Sequence, residues 1–189
     1  MTAFDCASRS RPQAVTGMVS SNAALLHSRV SLRAMTVSDG ALLKSFFQGL
    51  SPLARRRRFM SSMRDVPDQL LRYLAGVDQQ THVGYLAETI IDGYPVMIAE
   101  ARYVIEQTGD RHGDFALAVA DAWQGHGIGR ALLGYLEQHA IAFGCQELGA
   151  DTLADNTAMI GLAKRQGFAV EFSRHDARAK KLTKRLIVH

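Results

Sequence analysis

The order of apolar patterns along the chain predicts an α/β (α+β) fold, with a mixed, mostly antiparallel sheet of about seven strands and helices on both faces. Three neighbouring strand patterns, at 82–91, 96–107 and 113–120, are joined by short turns, so they predict an antiparallel meander. Farther along, a strand at 147–153 is followed by a helix and another strand. This order predicts one parallel pair within the sheet.

The chain is long enough for one substantial core. It has 189 residues, of which 47% are hydrophobic. Residues 1–28 are rich in Ser, Ala, Arg and Gln without a clear period, so we predict a flexible leader there and a folded domain at 29–189. The weak apolar stretch at 23–26 is too short for a signal peptide or a membrane helix.

The domain begins with a strand and three helices. Thr36 and Asp39 form a capping box that opens the first helix, and Pro52 stands at the first position of the second. The predicted elements are a strand at 30–35 and helices at 40–47, from 51 onward and at 67–74.

Four successive arginines, Arg55 to Arg58, lie in the second helix. Because consecutive positions point around the whole circumference of a helix, we expect most of these side chains to be solvated. A contact with a protein substrate or with a cofactor phosphate is the alternative.

The second half of the domain alternates helices and strands. Leu132, Leu136 and Ala140 recur at four-residue spacing and predict an amphipathic helix that stops at Gly144. The remaining predicted elements are the strand at 147–153, a helix at 156–166, and strands at 169–175 and 181–188.

Composition limits the classes of partner. The net charge of +4 fits an anionic ligand, but the excess is too small to indicate nucleic acid, and we predict neither a nucleic-acid nor a membrane partner. Cys6 and Cys145 offer neither a disulfide framework nor metal-ligand spacing. We therefore predict a cytoplasmic protein without a metal site.

A glycine-rich turn at 124–129 connects an apolar strand to the amphipathic helix. Its glycines let the backbone approach a bulky anion, and the first amide groups of the helix point at that anion. A dinucleotide fingerprint is excluded because the third glycine falls one position short, and a nucleotide-hydrolase phosphate loop is excluded because Arg130 and Ala131 follow Gly129. The turn predicts a phosphorylated cofactor.

The pattern Gln124-x-x-Gly127-x-Gly129 after a strand resembles the acetyl-CoA motif of the GNAT superfamily of N-acetyltransferases. The resemblance covers roughly residues 30–175 and implies the GNAT fold and acetyl-CoA as the acyl donor. It implies that the backbone of 117–119 pairs with the pantetheine arm and that amide groups of 125–130 hold the pyrophosphate. The implied cofactor-binding residues are Leu117, Ala118, Val119, Gln124, Gly125, His126, Gly127, Ile128, Gly129, Arg130 and Asn156.

A second motif runs from Asn156 to Gly167 and Phe168 and is similar to the family motif that follows the fifth strand. Many members place a tyrosine where this chain has Ala163, and that tyrosine protonates the leaving thiolate. Because this chain combines the Leu50-Ser51-Pro52 block with the absence of that tyrosine, it most resembles the protein lysine acetyltransferases that modify acyl-CoA synthetases.

Acetylation of a lysine requires a base. The amine has a reference pKa near 10.4, so about one in 2,500 is neutral at pH 7, at a cost of roughly 4.6 kcal/mol. The resemblance implies Asp114 as that base, acting directly or through a water, and Glu100 on the preceding strand is a second candidate. Cys145 has no histidine beside it in the sequence, which favours direct attack over an acetyl-cysteine intermediate.

Three functions stay open at this stage. The first is an acetyltransferase acting on a lysine of a protein such as an acyl-CoA synthetase. The second is an N-acetyltransferase for a small amine, which would need an acid-lined pocket. The third is a non-catalytic module that senses acyl-CoA. A homodimer would be compatible with the family, and the sequence leaves the oligomeric state open.

Overall fold

A computed structural model describes residues 30–105, 112–174 and 176–187. The predicted leader at 1–28 and the last two residues of the strand predicted at 96–107 lie outside these residues. The described chain forms one sheet of seven strands in the order β1-β2-β3-β4-β5-β7-β6, with helices on both faces. The predicted fold class is confirmed.

The elements follow the predicted order. The strands are β1 (Val30–Ala34), β2 (His82–Ile91), β3 (Tyr94–Ile105), β4 (His112–Val119), β5 (Glu147–Leu153), β6 (Ala169–Phe172) and β7 (Ala179–Arg185). The helices are α1 (Gly40–Gly49), α2 (Pro52–Phe59), α3 (Asp68–Ala75), α4 (Ile128–Ala142) and α5 (Thr157–Arg165). Within the described residues, no helix is long and apolar enough to cross a membrane.

The last two strands differ from the prediction at their inner ends. β6 ends at Phe172 rather than continuing to 175, and β7 begins at Ala179 rather than at 181. Asp176 explains part of the difference, because its carbonyl accepts the Ala179 N–H at 2.9 Å and its carboxylate accepts the Arg178 N–H at 2.8 Å. These bonds close a tight turn just before β7.

The sheet is antiparallel except where β4 meets β5. The parallel pairing covers only three positions, from His112 opposite Glu147 to Asp114 opposite Gly149. Beyond Asp114 and Gly149 both strands continue without pairing to each other, since β4 next pairs only with β3 and β5 with β7. The sheet therefore opens into a V whose apex lies at Asp114 and Gly149.

Two apolar layers cover the sheet. On one face, α4 contributes Leu132, Leu133 and Leu136, which are fully buried against the strands. On the other face, α1 and α3 bury residues such as Phe47 and Leu74. This arrangement fixes both walls of the V, because α4 and α5 lie on one side of it and α2 on the other.

Candidate active site

The open edge of β4 presents unpaired backbone groups to the V. The Ala120 N–H donates to the Ile98 carbonyl of β3 at 2.8 Å. Because successive residues of a strand direct their backbone groups to opposite sides, the N–H and C=O groups of Leu117 and Val119 point away from β3. The Val119 carbonyl accepts from the Gln124 side chain at 3.1 Å. The Leu117 groups and the Val119 N–H are placed to pair with an added extended chain.

The glycine turn lies at the end of this open edge. Gly125 and Gly127 adopt φ values of +79° and +83°, and an added Cβ at either would meet no atom within 4 Å. Gly127 caps α4, so the amide groups of its first turn face the same space. A Cβ on Gly129 would instead contact Leu117 and Leu162 at 3.5 Å, so this position packs the helix closely against β4.

A cleft of about 360 Å³ runs from the V to the glycine turn. Ten of the eleven predicted cofactor-binding residues line it, and His126 is the exception. The Nδ1 atom of His126 is buried without a hydrogen-bond partner. The lining residues are Ala54, Arg57, Arg58, Leu117, Ala118, Val119, Trp123, Gln124, Gly125, Gly127, Ile128, Gly129, Arg130, Asn156, Ala158, Met159, Leu162 and Arg165.

The arginine run is not a solvated face, contrary to the expectation from the sequence. All four side chains are partly buried and contact the protein. Arg55 donates to the carbonyls of Gln48 and Leu50, Arg56 to the Asp155 carboxylate, Arg57 to the Asp155 carbonyl, and Arg58 to Glu100. Arg57 and Arg58 also line the cleft, together with Ala54 one turn earlier. Arg57 and Arg58 follow Ala54 at three- and four-residue spacing, and this spacing in the sequence predicts that all three share one helix face.

Ser51, in the Leu50-Ser51-Pro52 block, connects the start of α2 to the segment that follows β4. Its hydroxyl accepts the Ala54 N–H at 3.1 Å and so caps α2. The same hydroxyl donates to Asp121 at 2.7 Å, and the Ser51 N–H donates to that carboxylate at 3.1 Å. Asp121 lies two residues after the end of β4. The block therefore fixes the start of α2, and with it the two cleft arginines, against the end of the cofactor strand.

Glu100 is fully buried between two arginines. Its Oε1 accepts from Nε of Arg58 at 2.6 Å, and its Oε2 accepts from Nε of Arg102 at 2.8 Å. Burial alone would raise the pKa of this carboxyl, but the charges of Arg102 and Arg58 outweigh it and hold the pKa below its usual range. These contacts are those of an ion-pair anchor, so of the two candidate bases Glu100 is the less accessible.

Asp114 is exposed and lies at the apex of the V. Its Oδ1 is 3.0 Å from Nε2 of His112, whose Nδ1 is 3.2 Å from Oε1 of Glu147. Asp114 shares a sheet face with Glu100, because Glu100 opposes Ala118 and the two β4 residues are an even number of positions apart. Four residues of strand separate Asp114 from Ala118, and so from the position of Glu100, by about 13 Å along β4. Neither carboxylate is among the lining residues of the cleft.

The second motif closes the cleft on the α5 side. Asn156 caps α5, since its Oδ1 accepts the Met159 N–H at 3.4 Å and its Nδ2 donates to Thr152 at 3.0 Å. Ala163 is completely buried in the core beneath α5. Among the described residues, no group of three or more His, Cys, Asp or Glu side chains is arranged to hold a metal ion.

The family that the sequence comparisons find agrees with three features of the structure: the open edge of β4, the glycine turn at the start of α4 and the split sheet. Residues 42–168 match the model of the Acetyltransferase (GNAT) family. The chain belongs to this family. The predicted family and the enzyme class of N-acetyltransferase are thereby confirmed.

Known relatives of this GNAT acetyltransferase include the Acetyltransferase Pat of Mycolicibacterium smegmatis. The two are 39% identical over 111 residues, which are 59% of this chain and 32% of that protein, so the chain spans about a third of that relative's length. The GNAT domain of S. lividans PAT superimposes with a TM-score of 0.74 at 25% identity, covering 83% of this chain and 90% of that domain. An acetyltransferase from Salmonella typhimurium, solved with its cofactor acetyl-CoA, has a TM-score of 0.67 at 19% identity and covers 85% of this chain and 96% of its own.

Proposed function

We propose that this GNAT enzyme acetylates the side-chain amine of a lysine on a protein such as an acyl-CoA synthetase, with Asp114 as the general base. The observation that carries the proposal is the position of Asp114. It is the last β4 residue paired with β5, so its exposed carboxylate lies at the point from which the two strands diverge. An extended pantetheine arm along the Leu117–Val119 edge would direct its thioester toward this apex.

The reaction follows from these positions. Backbone groups of the β4 edge align the thioester and polarise its carbonyl. Asp114 removes the proton from the incoming ammonium group, directly or through a water, so that the neutral amine attacks the carbonyl carbon. The carbon–sulfur bond then breaks, and coenzyme A leaves.

The charge of the cleft fits the phosphates of coenzyme A. Every charged side chain that lines the cleft among the described residues is an arginine, namely Arg57, Arg58, Arg130 and Arg165. A protein can deliver one lysine into the V while its other contacts lie outside, and the similarity to the M. smegmatis Acetyltransferase Pat agrees with such an acceptor.

The test is coenzyme A thiol release from acetyl-CoA, with a purified AMP-forming acetyl-CoA synthetase and a panel of small amines as parallel acceptors. We expect release that depends on the synthetase and an acetyl-lysine in its tryptic peptides. Thiol release only with a small amine would identify that amine, rather than a protein lysine, as the acceptor. Binding of acetyl-CoA without thiol release would favour a sensing module. The homodimer and the cytoplasmic location stay predictions, of which the first is checked by light scattering of the purified protein.

A further inference from the structure

The leaving group of the proposed reaction is a thiolate, which needs a stabilising partner. When the amine displaces the thioester, the electron pair of the carbon–sulfur bond passes to sulfur, and a thiolate develops inside the cleft. Ala163, in the helix beside the cleft, is fully buried and its methyl group can donate no proton. A site that favours the transition state must place a donor or a positive charge near that sulfur.

Arg58 has the properties such a partner needs. Its side chain is only 7% exposed, it lines the cleft, and its Nη2 atom is buried with no hydrogen-bond partner in the protein. A buried guanidinium nitrogen without an acceptor is costly, so a ligand oxygen or sulfur that reaches it gains a strong bond. Arg57 also has a buried and unpartnered Nε, but its Nη2 is drawn to the Asp155 carbonyl at the start of α5.

The guanidinium of Arg58 is held at the level of the cofactor strand. Its Nε binds Glu100, and Glu100 lies directly opposite Ala118, between the two residues whose backbone groups face the V. The Phe59 ring lies beneath the same guanidinium, with 5.0 Å from Cζ to the ring centroid. Glu100 and Phe59 together fix the orientation of the Arg58 guanidinium group, so its Nη2 has little freedom to turn away from the cleft.

The buried charged groups around Arg58 leave a net positive charge beside the cleft. Arg58 and Arg102 carry two positive charges, and Glu100 supplies the single negative charge between them. The buried cluster therefore has a surplus of one positive charge, in surroundings where Coulomb energies are larger than in water. A thiolate in the adjoining cleft would balance it.

We infer that Arg58 is a catalytic residue that stabilises the departing coenzyme A thiolate through Nη2, and that Glu100 positions it. The inference rests on the proposed acetyl transfer from acetyl-CoA but not on the acceptor. Arg58 acts as a hydrogen-bond donor in this step and transfers no proton. The amine proton goes to Asp114 and then to solvent, and the thiolate takes a proton from water as coenzyme A leaves.

The test measures the pKa of the thiol of bound coenzyme A, by titrating the ultraviolet absorbance of its thiolate. A nearby positive charge favours the anion and lowers this pKa. We expect a pKa at least about one unit lower for coenzyme A on the wild-type enzyme than on Arg58→Met. Arg58→Lys, which keeps a charge without the fixed fork, should lie between them. Arg56→Met removes the same charge from the same helix outside the cleft and should titrate like the wild type.

A thiol pKa in Arg58→Met or Arg58→Lys equal to that of the wild type, with coenzyme A bound, would overturn the inference. A merely structural role for Arg58 would change the amount of coenzyme A bound but not the pKa of its thiol, and isothermal titration calorimetry separates the two. If Arg58→Met does not fold, Arg58→Lys decides. Because the titration contains no acceptor, its outcome is independent of whether a protein lysine is the substrate.

Discussion

The Nε2 atom of His112 lies 3.0 Å from Oδ1 of Asp114, so the first residue of β4 holds the carboxylate at the apex of the V. The other ring nitrogen of His112 faces Glu147 on β5 at 3.2 Å. The imidazole ring of His112 therefore lies between a carboxylate of β4 and a carboxylate of β5. His112 thus ties the two strands together where they begin to diverge.

Gly149→Ala should disturb this link without touching the cofactor cleft. An added Cβ would lie 2.8 Å from Cε1 of His112, and the ring is a side-chain end that can rotate away. We expect kcat to fall by about three- to tenfold, because a misplaced base loses its alignment, while the affinity for acetyl-CoA stays unchanged. Steady-state kinetics and calorimetry measure the two quantities. A kcat equal to that of the wild type, in this variant and in His112→Gln, would show that the link is not needed.

Gly127→Ala should weaken coenzyme A binding. The residue has φ +83°, which costs an alanine about 1–2 kcal/mol, and relaxation of the turn would misdirect the amide groups that hold the pyrophosphate. We expect about a tenfold loss of affinity. The matched control is Gly134→Ala in the middle of α4, where an added Cβ meets nothing within 4 Å. It should stabilise the helix by about 0.5–1 kcal/mol and leave the affinity unchanged; equal affinities in both variants would refute the role of the turn.

Asp39 makes stability depend on pH. Hydrogen bonds from Arg33, together with the backbone and hydroxyl of Thr36, outweigh burial and lower its pKa from 3.8 to about 2. A group whose pKa is lowered by folding stabilises the protein above its unfolded pKa and loses that contribution as the pH falls. The shift corresponds to about 2 kcal/mol at neutral pH.

Denaturation of Asp39→Asn by urea at several pH values tests this. The variant should be less stable than the wild type by up to about 2 kcal/mol at pH 6, and the gap should close as the pH falls from about 4 toward 2. Asp68→Asn, whose carboxylate is exposed and paired with Lys44, serves as the control and should show little difference at any pH. A gap that stays constant with pH would mean that the Asp39 charge is not what stabilises the fold.

Cys145→Ala should retain the wild-type kcat. The side chain is fully buried and its thiol donates to the Glu147 carbonyl at 3.1 Å, and burial raises its pKa above the usual value. A thiol in this state is a poor nucleophile. Loss of acetyl transfer in a folded Cys145→Ala variant would instead favour an acetyl-cysteine intermediate.

Local patterns were enough to predict the fold and the glycine turn. Four-residue spacing in α4, the glycines that adopt positive φ and the short turn between β2 and β3 depend on neighbouring residues, so a single sequence predicts them. The start of β7 was harder, because Lys180 and Lys181 interrupt the apolar alternation that identifies a strand. Those lysines lie opposite Phe172 and Glu171, which the sequence alone does not reveal.

The arginines of α2 could not be assigned from the sequence. Consecutive charges carry no helical period, so the sequence does not distinguish Arg57 and Arg58, which line the cleft, from Arg55 and Arg56. The pairing of Glu100 with Arg58 joins residues 42 positions apart and depends on how α2 packs against β3. Asp114 and Glu100 therefore looked alike as candidate bases, and only their contacts separate an exposed carboxylate from a doubly paired one.

The measurement that tests the account most directly compares the wild type with Asp114→Asn and Asp114→Glu in acetyl transfer to an AMP-forming acetyl-CoA synthetase. Asparagine keeps the shape of the side chain but cannot accept the lysine proton, so we predict a fall in kcat of at least about tenfold, with an unchanged affinity for acetyl-CoA. Asp114→Glu should recover most of the rate. If Asp114→Asn transfers acetyl groups to the synthetase as fast as the wild type does, Asp114 is not the base.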